Sequence, residues 1–101
     1  MLTIIGSQLN PAHDALEIYV SGCRRNCPGC HNPEAQAFGK GKSARLWMNE
    51  SRYKFATGTF SRVWLLGGDL MDQAPHEAHE FLRDLRKAMK PGMELWLWTG
   101  H

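Results

Sequence analysis

No stretch of this sequence approaches the ~20 consecutive apolar residues that a bilayer-spanning helix needs, so nothing in it argues for a membrane protein. The opening residues, MLTIIGSQLN, lack a basic segment followed by a long apolar run; a secretory leader is not expected, and the chain reads as cytoplasmic. Excess charge is also missing. The formal balance is +2, too small to argue for a nucleic-acid partner. Arg24 and Arg25 lie beside the cysteines, whereas Arg83, Arg86, Lys87 and Lys90 read as the solvated face of a helix. Repeats, linkers and low-complexity tracts are absent, which makes residues 1–101 one domain. Cysteine is scarce: three residues, an odd number. All three, Cys23, Cys27 and Cys30, fall within eight residues, a crowding that suits a metal or cluster in a reducing compartment better than a disulfide framework.

Apolar residues, by contrast, reach 43%, enough for a modest core, and the four tryptophans (Trp47, Trp64, Trp96 and Trp98) are expected to pack there. Two early strands are expected. The first, Leu2 to Ile5, stops at Gly6; the second, Ala15 to Val20, sets Leu16, Ile18 and Val20 against Glu17 and Tyr19. A loop over residues 31–45 precedes a helix around Leu46 to Ala56, with Ser43 or Asn49 as its cap. Ser61 to Leu66 reads as a buried strand ending in Gly67-Gly68-Asp69. The next helix opens at Pro75, repeats apolar residues from Ala78 to Met89, leaves His76 and His79 to solvent, and is stopped by Pro91-Gly92. Met93 to Trp98 alternates as a strand. Strands alternating with helices predict an α/β fold with a parallel sheet, whose ligands gather at the C-terminal ends of the strands. Three such ends carry Cys23 to Cys30, Gly67-Gly68-Asp69 and Thr99-Gly100, so one rim is expected to hold all three clusters.

The cysteine run is Cys23-Arg-Arg-Asn-Cys27-Pro-Gly-Cys30-His31-Asn32. Three thiolates on one short loop can cap three corners of an iron–sulfur cubane. Electron-transfer clusters of that kind use four cysteines, and this chain has no fourth, so one iron would stay open to a small molecule. A zinc site of Cys3His type, completed by His13 or His31, is the competing reading and would make the chain a zinc-stabilised interaction module.

The CX3CX2C spacing after a strand resembles the radical S-adenosylmethionine enzymes. SGCRRNCPGCHNPE, LLGGDL and ELWLWTG, in that order and each at a strand end, are similar to the activating proteins of anaerobic, glycyl-radical ribonucleotide reductase. The pyruvate formate-lyase type activases share the Cys-His-Asn-Pro run. The resemblance covers about Glu17 to Gly100. It implies a partial (βα) barrel, a [4Fe–4S] cluster on Cys23, Cys27 and Cys30, and S-adenosylmethionine chelated by the open iron. Reduction by a flavodoxin or ferredoxin would then yield a 5′-deoxyadenosyl radical that installs a glycyl radical on the reductase. It further implies cofactor contacts from Gly29 and His31, from Gly67 and Gly68 by close backbone approach, from Asp69 to the ammonium group, and from Thr99 to the carboxylate or the rim.

Two stretches depart from that family. Asn10-Pro-Ala-His-Asp14 replaces the usual Gly-Pro-Gly and arginine before the cysteine-bearing strand. The chain also stops after its third main strand, where relatives add further βα units, so the domain is expected to be incomplete at its C-terminus. Half a cofactor pocket would also suit a non-catalytic cluster-binding module. Met93 to Trp98, apolar on both faces except Glu94, would invite homodimerisation or docking on the reductase.

Overall fold

A four-residue turn, Pro11-Ala12-His13-Asp14, folds strand β1 (Thr3–Asn10) back on β2 (Ala15–Val20). The amides of His13 and Asp14 donate to the carbonyls of Asn10 and Pro11, and Asp14 adopts a left-handed φ of 52°, which aspartate tolerates better than most residues. The computed structural model describes residues 2–22, 41–67, 70 and 73–98. β1 does not stop at Gly6 as expected. It runs on to Asn10 through a register shift between Ile4 and Gly6, a bulge that the polar residues beyond it hid from the hydrophobic pattern. Those residues are held instead by side-chain bonds: Gln8 and Asn10 both donate to the Glu17 carboxylate.

Beyond the hairpin come β3 (Lys42–Ser43), helix α1 (Ala44–Thr57), β4 (Arg62–Gly67), α2 (Pro75–Ala88) and β5 (Glu94–Leu97). α1 begins two residues before the expected start because Ser43, rather than Asn49, caps it: the Ser43 hydroxyl accepts from the Leu46 amide at 3.2 Å. Pro75 opens α2, as its fixed φ and missing N–H favour. Glu77 in the first turn accepts from the Leu2 amide at 3.0 Å, tying the helix to the start of the hairpin.

The five strands form one sheet in the order β3–β1–β2–β4–β5. The α/β expectation holds, and β2, β4 and β5 are parallel to one another. The sheet is nevertheless mixed, because β1 pairs antiparallel with both β2 and β3. A four-residue turn can only reverse a strand; a parallel step needs a longer crossover, which α1 and α2 supply. Both crossovers advance the same way across the sheet, and both helices lie on one face of it.

That face is the core. Leu16, Ile18 and Val20 of β2 and Val63 and Leu65 of β4 pack against Trp47, Met48 and Phe55 of α1 and Phe81 and Leu85 of α2. Trp47 meets Phe55 and Phe81 edge-on at 6.5 and 6.3 Å between ring centres, an arrangement that aligns ring edges with ring faces. The opposite face carries Glu17, Tyr19, Trp64, Trp96 and Trp98. The expectation that all four tryptophans are core therefore holds for Trp47 alone. Trp64 is half-buried, while Trp96 and Trp98 are 48% and 43% exposed, since no described helix covers their side of the sheet. His76 and His79 are exposed on α2, as the helical period requires. Among the described residues no helix is long and apolar enough to cross a membrane.

Candidate metal centre

Parallel pairing decides which strand ends meet. Val20 stands opposite Gly67 on the β2–β4 ladder, and Leu65 stands opposite Leu97 on the β4–β5 ladder. The chain consequently leaves β2 at Ser21-Gly22, β4 at Gly67 and β5 at Trp98 on a single rim, as the alternation of elements predicted. The Trp98 amide still donates to the Leu65 carbonyl at 3.1 Å, so the last strand keeps its register up to that edge.

Of the candidate site residues, Gly67 lies within the described structure. Cys23, Cys27, Cys30, Gly29, His31, Gly68, Asp69 and Thr99 lie outside the described residues. Gly67 has a φ of +90°, and a Cβ there would meet the Val20 carbonyl oxygen at 2.7 Å. The strand end itself thus requires glycine, in addition to any close approach by a ligand. Gly22, the residue before Cys23, has a φ of +102° and turns the chain out of β2.

Gln73 completes the described part of the rim, and sequence reasoning missed it. Its carboxamide Nε2 donates to the Ser21 carbonyl at 3.0 Å and to the Gly22 carbonyl at 3.1 Å. Ser21 is buried and its amide donates to the Thr3 carbonyl at 3.0 Å. A lone glutamine between a strand and a helix carries no local signature for such contacts; they span some fifty residues of chain.

On the face opposite the two helices, Glu17 accepts from the Tyr19 hydroxyl at 2.6 Å, from Gln8 Nε2 at 2.8 Å and from Asn10 Nδ2 at 2.9 Å. The Tyr19 hydrogen bond, aided by those from Gln8 and Asn10 against the opposing effect of burial, holds the Glu17 carboxyl below its ordinary value. Burial and the neighbouring carboxylate push the Tyr19 phenol up. His13 lies in the β1–β2 turn, its ring 5.1 Å from that of Trp64. Among the described residues no three His, Cys, Asp or Glu side chains converge on a metal-sized point. A cavity of ≈ 630 Å³ lies at the same end as His13, between the hairpin turn and the end of α1, lined by Asn10, Asp14, Leu16, Lys54 and Phe60; it belongs to the far end of the sheet from the rim.

The donor set suits an iron–sulfur cubane. In sequence, three thiols follow the β2 end within eight residues, and three thiolates can cap three corners of a cubane. Comparison with known proteins points the same way. The family described as "4Fe-4S single cluster domain" matches residues 15–101 of the chain. The chain is 28% identical over 89 residues to the anaerobic ribonucleoside-triphosphate reductase-activating protein of Escherichia coli (strain K12), covering 83% of this chain and 56% of that protein. It is equally similar to the protein of that name from Salmonella typhi, and 30% identical over 87 residues to the one from Vibrio cholerae, with the same coverage. The chain spans about half the length of these curated relatives. No solved structure matches it.

Proposed function

Because the chain belongs to the 4Fe-4S single cluster domain family, we propose that it is a [4Fe–4S]- and S-adenosylmethionine-dependent activase that installs a glycyl radical on anaerobic ribonucleotide reductase. The observation that carries the proposal is the convergence of the β2, β4 and β5 ends on one rim, with a three-cysteine segment leaving the first of them. Held by Cys23, Cys27 and Cys30, a reduced cluster would supply the electron for cleaving a C–S bond of S-adenosylmethionine to methionine and a 5′-deoxyadenosyl radical, which would take a hydrogen atom from the target glycine.

The chain's own residues have distinct tasks in this reading. Cys23, Cys27 and Cys30 hold three irons. Asp69, two residues beyond β4, accepts hydrogen bonds from the ammonium group of the methionine moiety. Gly67 and Gly68 keep side chains off that approach. Gly29 offers the adenine backbone contact alone, His31 passes beside the cofactor, and Thr99 orders the rim beyond β5 or meets the carboxylate. Two crossovers with both helices on one face suit a partial (βα) barrel better than a doubly wound sheet, which carries helices on both faces. A flavodoxin or ferredoxin is the electron donor in this scheme, and the compartment is the cytoplasm.

Anaerobic reconstitution with ferrous iron and sulfide, followed by dithionite and S-adenosylmethionine, tests the proposal. The expected product is 5′-deoxyadenosine. A cluster that assembles but yields no cleavage product overturns catalysis by this chain and leaves a cluster-binding module. Stoichiometric zinc without acid-labile sulfide overturns the cluster as well.

A further inference from the structure

We infer that Gln73 is a positioning residue for the cluster: its carboxamide locks the two peptides through which β2 runs into Cys23. The inference rests on the reading that Cys23, Cys27 and Cys30 hold a [4Fe–4S] cluster.

A primary amide carries two N–H groups, and Gln73 Nε2 has two acceptors, Ser21 O at 3.0 Å and Gly22 O at 3.1 Å. The carboxamide thus carries donors enough for both carbonyls. Gln73 is only 9% exposed and Ser21 1%, so water is a poor substitute for these two hydrogen bonds. The Ser21 amide is meanwhile bound to the Thr3 carbonyl. The peptides on both sides of Ser21 are thus held, one from β1 and the other from Gln73. Because a peptide unit is planar, holding the Gly22 carbonyl restrains rotation of the peptide unit that follows Gly22. Gly22, at a φ of +102°, would otherwise be the most permissive joint in this stretch.

The base of the clamp is itself anchored. Leu70 is buried in the core, the Gln73 amide donates to the Leu70 carbonyl at 3.1 Å, and Pro75 begins α2 two residues later. The carboxamide accordingly reaches β2 from a seat that the core and a helix start hold in place. Residues behind a metal's own ligands set the orientation of those ligands, and their loss costs about 10–100-fold in metal affinity. Gln73 does this through the backbone that carries the first thiolate, by reducing the freedom that Cys23 must give up when it binds iron.

Gln73→Met keeps the length of the side chain and removes both donors. Parent and variant are reconstituted anaerobically with ferrous iron and sulfide. Far-UV circular dichroism confirms that each is folded. Iron release to a chelator and the EPR spectrum of the dithionite-reduced cluster are then compared below the unfolding temperature of either protein. The expected result is iron release about 10–100-fold faster from the variant, with altered g-values. A residue that merely supported the fold would lower the unfolding temperature and leave both cluster readouts at the parental values; that result overturns the inference. A parent chain that takes up no iron and sulfide overturns the cluster reading and this inference together, whereas a parent with a stable cluster and an indistinguishable variant overturns the inference alone. Should Gln73→Met fail to fold, the parent labelled with 15N-glutamine decides: the Gln73 carboxamide protons are expected to exchange with solvent far more slowly than those of a free glutamine peptide, and equal rates overturn the clamp.

Discussion

Val20 and Gly67 face each other on the last rung of the β2–β4 ladder, so closely that a Cβ on Gly67 would lie 2.7 Å from the Val20 carbonyl oxygen. Gly67 also has a φ of +90°, where side chains are strained whatever the space around them. Gly67→Ala is therefore expected to destabilise the cluster-free chain by about 3 kcal/mol, from backbone strain and the contact together. Urea unfolding checks this. A change below ~0.5 kcal/mol would show that the strand end can relax.

The Glu17 network ties stability to pH in a definite direction. Its carboxyl is held below the ordinary 4.5, so the folded state favours the ionised form. The stabilisation is complete above pH 4.5 and is lost as the pH falls through the lowered folded value. For Tyr19 the sign reverses: its phenol is raised above 10.0, and its contribution is present below that pH and fades as the pH climbs through the raised value. Glu17→Gln is expected to flatten the acid limb of stability against pH. An unchanged acid limb would assign acid unfolding to other carboxylates.

Core and surface leucines should separate sharply. Leu85 on α2 is fully buried, and Leu85→Ala is expected to cost about 3 kcal/mol from lost transfer energy and the cavity left behind. Leu46 on α1 is 47% exposed, and Leu46→Ala is expected to change stability by less than ~0.5 kcal/mol. Paired denaturant titrations measure both.

Cluster and cofactor ligands should also part company. Cys27→Ala is expected to abolish cluster assembly, measured as iron and acid-labile sulfide, because two thiolates seldom hold a cubane. Asp69→Ala is expected to retain iron and sulfide while weakening the change that S-adenosylmethionine makes in the EPR spectrum. Loss of iron from the aspartate variant would place that residue at the metal instead.

β5 is an edge of the sheet, and Trp96, Leu97 and Trp98 are 48%, 38% and 43% exposed there. Such an edge favours pairing with another chain. Sedimentation is expected to show concentration-dependent homodimers that Trp96→Lys weakens. A parent that sediments as a monomer at every concentration would count against self-association.

Much of this was legible in local patterns. The alternation of Leu16, Ile18 and Val20 located β2 to the residue, and Pro75 located the start of α2. β1 extends beyond the expected Leu2 to Ile5, since Ser7, Gln8 and Asn10 carry no hydrophobic period and are kept in the strand by bonds to a partner across the ladder. Trp96 and Trp98 were misplaced in the core because bulk and apolarity say that a residue prefers burial, never which face of a sheet the helices will cover.

The chain by itself determined most of its elements and its family motif: strand and helix periods, a proline start, and three cysteines within eight residues. These follow from residues a few positions apart, which is the range over which propensity, capping and ligand spacing act. Tertiary structure alone decided that three strand ends share a rim, that both described helices lie on one sheet face, and that Gln73 grips the carbonyls of Ser21 and Gly22. Those depend on the direction of two crossovers and on contacts across some fifty residues, where the partner of a polar side chain is chosen by how the core packs.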